Sequence, residues 1–157
     1  MDFPSFDTFQ EESSISFESE DVDFELPNSI QIVEWLKAVC SQEGGNLQAL
    51  NYIFCSDDYL HRINMEYLDH DTLTDIITFP YDSFPSIYGD LFISIERVKE
   101  NADELNIPFE QELRRVIVHG LLHLHNYSDK TEAEEQVIRK KEDDCLLLWE
   151  QQFSAIG

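Results

Sequence analysis

The stretch LRRVIVHGLLHLH, residues 113–125, constrains the fold more than any other part of the chain. Its apolar residues, Leu113, Val116, Ile117, Val118, Leu121, Leu122 and Leu124, fall on most sides of a helix rather than in one stripe. Such a helix is central, because it needs cover on several sides to escape water. The whole chain has 157 residues, near the commonest size for one domain, so the cover must come from one compact set of elements. The same helix carries His119 and His123. Spacing i, i+4 puts the two imidazoles on one face, about one turn apart.

The rest of the sequence supplies the cover. ISFESEDVDF (15–24) alternates as a half-buried strand does, and Pro27-Asn28-Ser29 starts a helix that stops at Gly44-Gly45. LNYIFCS (50–56) is an apolar strand, and Asp57-Asp58 opens a short helix to about Tyr67. DIITFPY (75–81) is a strand that Pro80 closes or places at an edge, and DLFISI (90–95) follows Gly89. Helices follow over 96–105, over about 110–125, and from a Thr131 cap to about Gln152, with Thr131 and Glu134 in capping-box spacing. The expected fold is α+β: a single layered domain with a mixed four-stranded sheet and about five helices.

Charge sets the second constraint. Ten basic residues against 33 acidic ones leave a net charge of −23. A chain this acidic repels nucleic acid at long range, so contact with RNA has to rest on a local basic patch, metal ions or a basic protein partner. Residues 1–14 are polar and acidic, with Phe3, Phe6 and Phe9 at intervals of three, and are expected to be a disordered tail or a docking segment. Cys40, Cys55 and Cys145 are odd in number and scattered, which suits a reducing compartment. No apolar run reaches the roughly 18 residues of a membrane helix, and the N-terminus lacks the basic residues of a secretory signal.

Two histidines on a buried helix either bond to carbonyls in the core or converge on one metal ion. The next residues bear on that choice. Asn126 stands where the apolar pattern ends, and Asn tolerates the left-handed conformation of a helix C-terminus. A chain reversed there returns along the histidine face and brings Asp129, ten residues after His119, towards both imidazoles. His119, His123 and Asp129 would then hold one divalent ion in the manner of a catalytic zinc site. The alternative is an Asp129 that caps the final helix near Thr131.

HGLLHLHNYSD (119–129) resembles the signature HGxLHLxGYDH of the YbeY endoribonuclease family, with Asp129 at the third histidine and Asn126 at the glycine. INMEYLDHDTLTDIITFP (63–80) is similar to the family segment LNxxYRxKDxPTDVLSFP, with Leu68 where the family usually has Arg, and Gly89-Asp90 opens a block like GDIxIS. The three motifs keep their order over roughly residues 15–150. The resemblance implies a metal-dependent, hydrolase-like domain over 15–157, built round a zincin-like metal-binding helix. It implies a cytoplasmic, single-strand-specific endoribonuclease of ribosomal RNA maturation, notably at the small-subunit 3′ end, and of ribosome quality control. Implied partners are single-stranded rRNA in ribosomal particles, a basic ribosomal protein and a ribosome-assembly GTPase.

Two other readings compete. HGLLH differs from the protease motif HExxH at the Glu that activates water, and Gly120 has no side chain to replace it. A metal-stabilised assembly factor that only binds is favoured by the net charge and by Leu68. No residue of the motif is an obvious general base; the attacking group is water activated by the ion. Candidates for supporting roles are Asp75, Asp90, His70 and Arg115. Asp75 or Asp90 would orient a ligand histidine or cap a loop. His70 or Arg115 would approach phosphate, or stay in solvent and in a surface salt bridge. His61 and His125 are expected to be structural or exposed. Arg139-Lys140-Lys141 is either an anion-binding patch or a solvated helix face.

Overall fold

Alternating side chains make a sheet with two covered faces. In the computed structural model, which describes residues 14–69 and 74–154, the strands are β1 (Ile15–Ser19), β2 (Asn46–Cys55), β3 (Ile76–Pro80) and β4 (Ser86–Ser94). They pair in the order β1-β2-β4-β3, parallel except for the antiparallel β3–β4 pair. Leu50, Tyr52 and Phe54 of β2 and Leu91 and Ile93 of β4 point to one face and build the main core. Cys55, Ile77 and Phe92 point to the other, where Leu60 of helix α2 (Asp57–Leu68) covers them.

The main core is closed by α1 (Ser29–Gln42) and α4 (Phe109–Leu124). Val116, Ile117, Val118, Leu121 and Leu122 of α4 are all buried, so the helix is as central as its composition requires. Gly120 allows its close approach to the sheet. A Cβ there would stand 2.5 Å from Leu91 Cδ2 and 2.8 Å from Ile76 Cδ1. The Tyr52 hydroxyl donates to the Ile117 carbonyl at 3.0 Å and fixes the helix against β2. α3 (Ile95–Leu105) packs on α4, and α5 (Glu132–Leu148) continues as a π-helical segment, Trp149–Phe153. The Trp35 indole donates to the Cys145 carbonyl at 2.8 Å and ties α1 to α5.

Among the described residues, four strands and five α-helices in one α+β domain agree with the sequence reading. Its boundaries need three corrections. The first strand ends at Ser19, whose hydroxyl donates to the Phe24 carbonyl across a turn, so residues 20–24 are not strand. β2 and β4 each begin four residues earlier than expected. The start of β2 carries exposed Asn46 and Gln48 and the start of β4 carries half-buried Ser86 and exposed Tyr88, so neither start reads as an apolar run. The expected N-terminal tail lies outside the described residues, apart from Ser14, whose carbonyl accepts from the Leu50 amide at 2.7 Å. No described helix is long and apolar enough to cross a membrane.

Candidate metal centre

α4 ends in a left-handed reversal. Asn126 has φ +75°, the Asn126 amide donates to the His123 carbonyl, and the Tyr127 amide donates to the Leu122 carbonyl. This is the pairing of a Schellman motif, and it turns the chain back over the histidine face. Thr131 then opens α5 with both bonds of a capping box. The cap belongs to Thr131 and Glu134, which leaves Asp129 for the histidines.

His119 and His123 meet edge to face, with ring centroids 4.5 Å apart and planes at 84°. Asp129 Oδ2 lies 3.4 Å from Nε2 of each. Ligand atoms of the three residues all fall within 4.8 Å of one another. The other ring nitrogens are engaged. Nδ1 of His123 donates to the Tyr127 carbonyl at 2.9 Å, and Nδ1 of His119 lies 2.5 Å from Glu142 Oε2. Protons on both Nδ1 atoms leave both Nε2 lone pairs turned to Asp129, the arrangement that a borderline divalent ion requires of imidazole. The donor set therefore fits one ion with two nitrogens and a carboxylate oxygen.

Glu142 is the residue that sequence reasoning missed. It is 3% exposed, and its second oxygen accepts from Arg115 Nη1 at 2.8 Å. Burial alone would raise its pKa. The hydrogen bonds from His119 and Arg115 outweigh burial and hold the carboxyl below its ordinary range. His119 mirrors it: burial works against its charge, but Glu142, Asp129 and Asp75 together raise its pKa. A signal did exist. Ile138, Glu142 and Cys145 follow i, i+4, i+7 on α5, so an acid occupies a core position of an amphipathic helix.

The remaining candidates divide by position. Asp75 lines the same cleft, about 420 Å³, as His119 and Asp129. Burial raises its pKa, although His119 pulls the other way. Arg115 also lines the cleft, but its guanidinium is held by Glu142 and, at 2.8 Å, by Asp143. Asp90 orients neither imidazole. It points to the opposite face of β4, where it accepts from Tyr81 Oη at 2.7 Å and Asn51 Nδ2 at 2.9 Å. His125 is structural: it is buried, with Nδ1 bonded to the Leu121 carbonyl. His61 is half-buried on α2, and His70 lies outside the described residues. Glu112 is a second unforeseen acid, buried in the cleft wall with Oε1 unpartnered and its pKa raised by burial.

The fold and site define a small α+β chain with two imidazoles and a carboxylate converging at an acidic cleft. Residues 14–150 match the family model described as Endoribonuclease YbeY. The chain belongs to that family of endoribonucleases. It is 49% identical to Endoribonuclease YbeY of Flavobacterium psychrophilum over 135 residues, which covers 86% of this chain and 96% of the relative. It is 38% identical to the Bacteroides fragilis protein of the same name over 138 residues, covering 88% and 99%. Among solved structures, the solution structure of TM1509 from Thermotoga maritima is similar with TM-score 0.63 and 28% identity, covering 87% of this chain and 91% of that one.

Proposed function

We propose that this chain is a metal-dependent, single-strand-specific endoribonuclease that acts in ribosomal RNA maturation, notably at the small-subunit 3′ end, and in ribosome quality control in the cytoplasm. The observation that carries the proposal is the convergence of His119 Nε2, His123 Nε2 and Asp129 Oδ2, with both Nδ1 atoms already committed. Zinc is the ion best suited to that set. When bound, it supplies Lewis acidity towards a phosphodiester and lowers the pKa of a water.

The chain's own residues do the rest. Glu142 and the Tyr127 carbonyl hold the two rings in place, so little reorganisation is left for the reaction. Asp75 has a raised proton affinity beside His119, which suits its carboxylate to take a proton from attacking water or return one to the leaving oxygen. Arg115 keeps Glu142 charged rather than touching RNA. The surrounding carboxylates, with the overall charge of −23, favour access to RNA through a basic protein partner on ribosomal particles.

Purified protein should carry near one divalent ion per chain and should lose it in His119→Ala and His123→Ala. The loaded protein should cut unstructured RNA. Replacing the scissile 2′-hydroxyl by hydrogen should slow cleavage only modestly and leave no 2′,3′-cyclic phosphate, because water is the nucleophile. A cyclic product dependent on His119 refutes that chemistry. Particle binding without cleavage by loaded protein would instead select the assembly-factor reading.

A further inference from the structure

The cleft is lined by six carboxylates, those of Asp75, Glu104, Glu112, Asp129, Glu135 and Glu142. A polyanion entering it needs a cation, and besides the His119 imidazole the lining offers two, Arg115 and Arg139. Arg115 is spent, with both terminal nitrogens bonded to acids. Arg139 is exposed and has no hydrogen-bond or ion-pair partner among the described residues, although its charge is felt by Glu112 inside the cleft.

Helical geometry explains why Arg139 alone of its basic run faces the site. Residues 139, 140 and 141 of α5 project about 100° apart. Lys141 reaches away to Glu43 at 3.1 Å, and Lys140 lies in solvent with Asp144 at 3.8 Å. Arg139 shares the cleft face with Glu135, Ile138 and Glu142, at the i, i+3, i+4, i+7 positions of one stripe. The stripe thus places one uncommitted guanidinium on the side of the cleft that also holds Glu142, the partner of His119.

We propose that Arg139 is the phosphate anchor of this cleft: it binds a backbone phosphate of the single strand flanking the one presented to His119, His123 and Asp129. This rests on the endoribonuclease reading. A guanidinium offers a planar fork of donors to phosphate oxygens, and no acid among the described residues holds that of Arg139. It sets where the strand lies and does not touch the reacting atoms.

The test uses the full chain and a fluorescein-labelled, unstructured oligoribonucleotide. Binding is read by anisotropy across a salt series, with EDTA present to prevent turnover. Arg139→Gln should weaken binding on the order of fivefold at low salt and reduce the slope of log K against log salt by about 0.7, the share of one single-strand phosphate. Lys140→Gln makes the same change in net charge on the far side of the helix and should leave the slope intact. Arg139→Lys should restore most of the slope. In loaded protein without chelator, Arg139→Gln should raise KM and leave kcat unchanged. A parent that cleaves RNA while Arg139→Gln and Lys140→Gln bind alike overturns the anchor alone. A parent that neither cleaves nor binds the probe overturns the endoribonuclease reading and the anchor with it.

Discussion

Glu142→Gln is the sharpest single perturbation of this molecule. The carboxylate serves two donors with two different oxygens: Oε2 faces His119 Nδ1 and Oε1 faces Arg115 Nη1. A glutamine has the same shape but one acceptor. Whichever way its amide turns, one donor meets NH2. A buried donor left without an acceptor costs about 1–3 kcal/mol. Arg115 keeps Asp143 and is 19% exposed, so the amide should serve His119 and leave the smaller loss at Arg115. The expected destabilisation is about 2 kcal/mol, read by urea unfolding in EDTA. The imidazole also loses the negative charge that raises its basicity, so zinc affinity should fall about 10- to 100-fold in competition with a chromophoric chelator. Asp143→Asn is the control. It touches Arg115 but not His119 and is 60% exposed, so it should cost under about 1 kcal/mol and leave zinc affinity unchanged. Parent-like zinc affinity in Glu142→Gln would refute the claim that Glu142 prepares His119. Parent-like stability would refute the hydrogen-bond accounting.

Asp129→Ala should lose zinc affinity about as much as His123→Ala, Asp129→His should keep it, and Asp129→Asn should fall between; parent-like binding by Asp129→Ala would send the search for a third ligand elsewhere. Gly120→Ala should lower stability by about 1 kcal/mol, as overpacking against Leu91 and Ile76 outweighs the gain in helix propensity; a more stable variant would show that the helix has room to shift. In EDTA, the raised pKa of His119 gives stability that is full below its unfolded value of ~6.5 and is lost as pH rises through the folded value. The lowered pKa of Glu142 gives stability that is present above ~4.3 and is lost as pH falls through its folded value. Chelated protein should therefore weaken above neutrality in thermal scans, and a His119→Gln variant that kept the same alkaline limb would contradict the assignment.

Much of the site was legible because its residues crowd one helix and the turn after it. Local geometry is a short-range property, and i, i+4 spacing with an Asn reversal needs no knowledge of the sheet. The left-handed Asn126 and the return of Asp129 follow from those few residues. Glu142 was hidden because its role depends on how α5 packs over α4, 23 residues away in the chain. Whether Asp90 orients a histidine or serves elsewhere was left open for the same reason in two dimensions. Its motif marked it, but only the parity of β4 against the core decides which face it takes. Strand starts at Asn46 and Ser86 escaped because pairing with neighbours, rather than apolar content, defines them.

Asp129 and Glu142 both follow α4 in the chain, and both reach back to its imidazoles. They act as a clasp between that helix and the last one. By linkage, whatever an ion gains by settling among these atoms is also resistance of α5 to peeling away. At a free ion concentration 100 times its Kd, that resistance grows by about 2.7 kcal/mol. On the proposed metal-dependent reading, starving the chain of an ion would loosen α5 and offer its backbone to proteases. Ion supply would then set how long the protein lasts, not only whether it works.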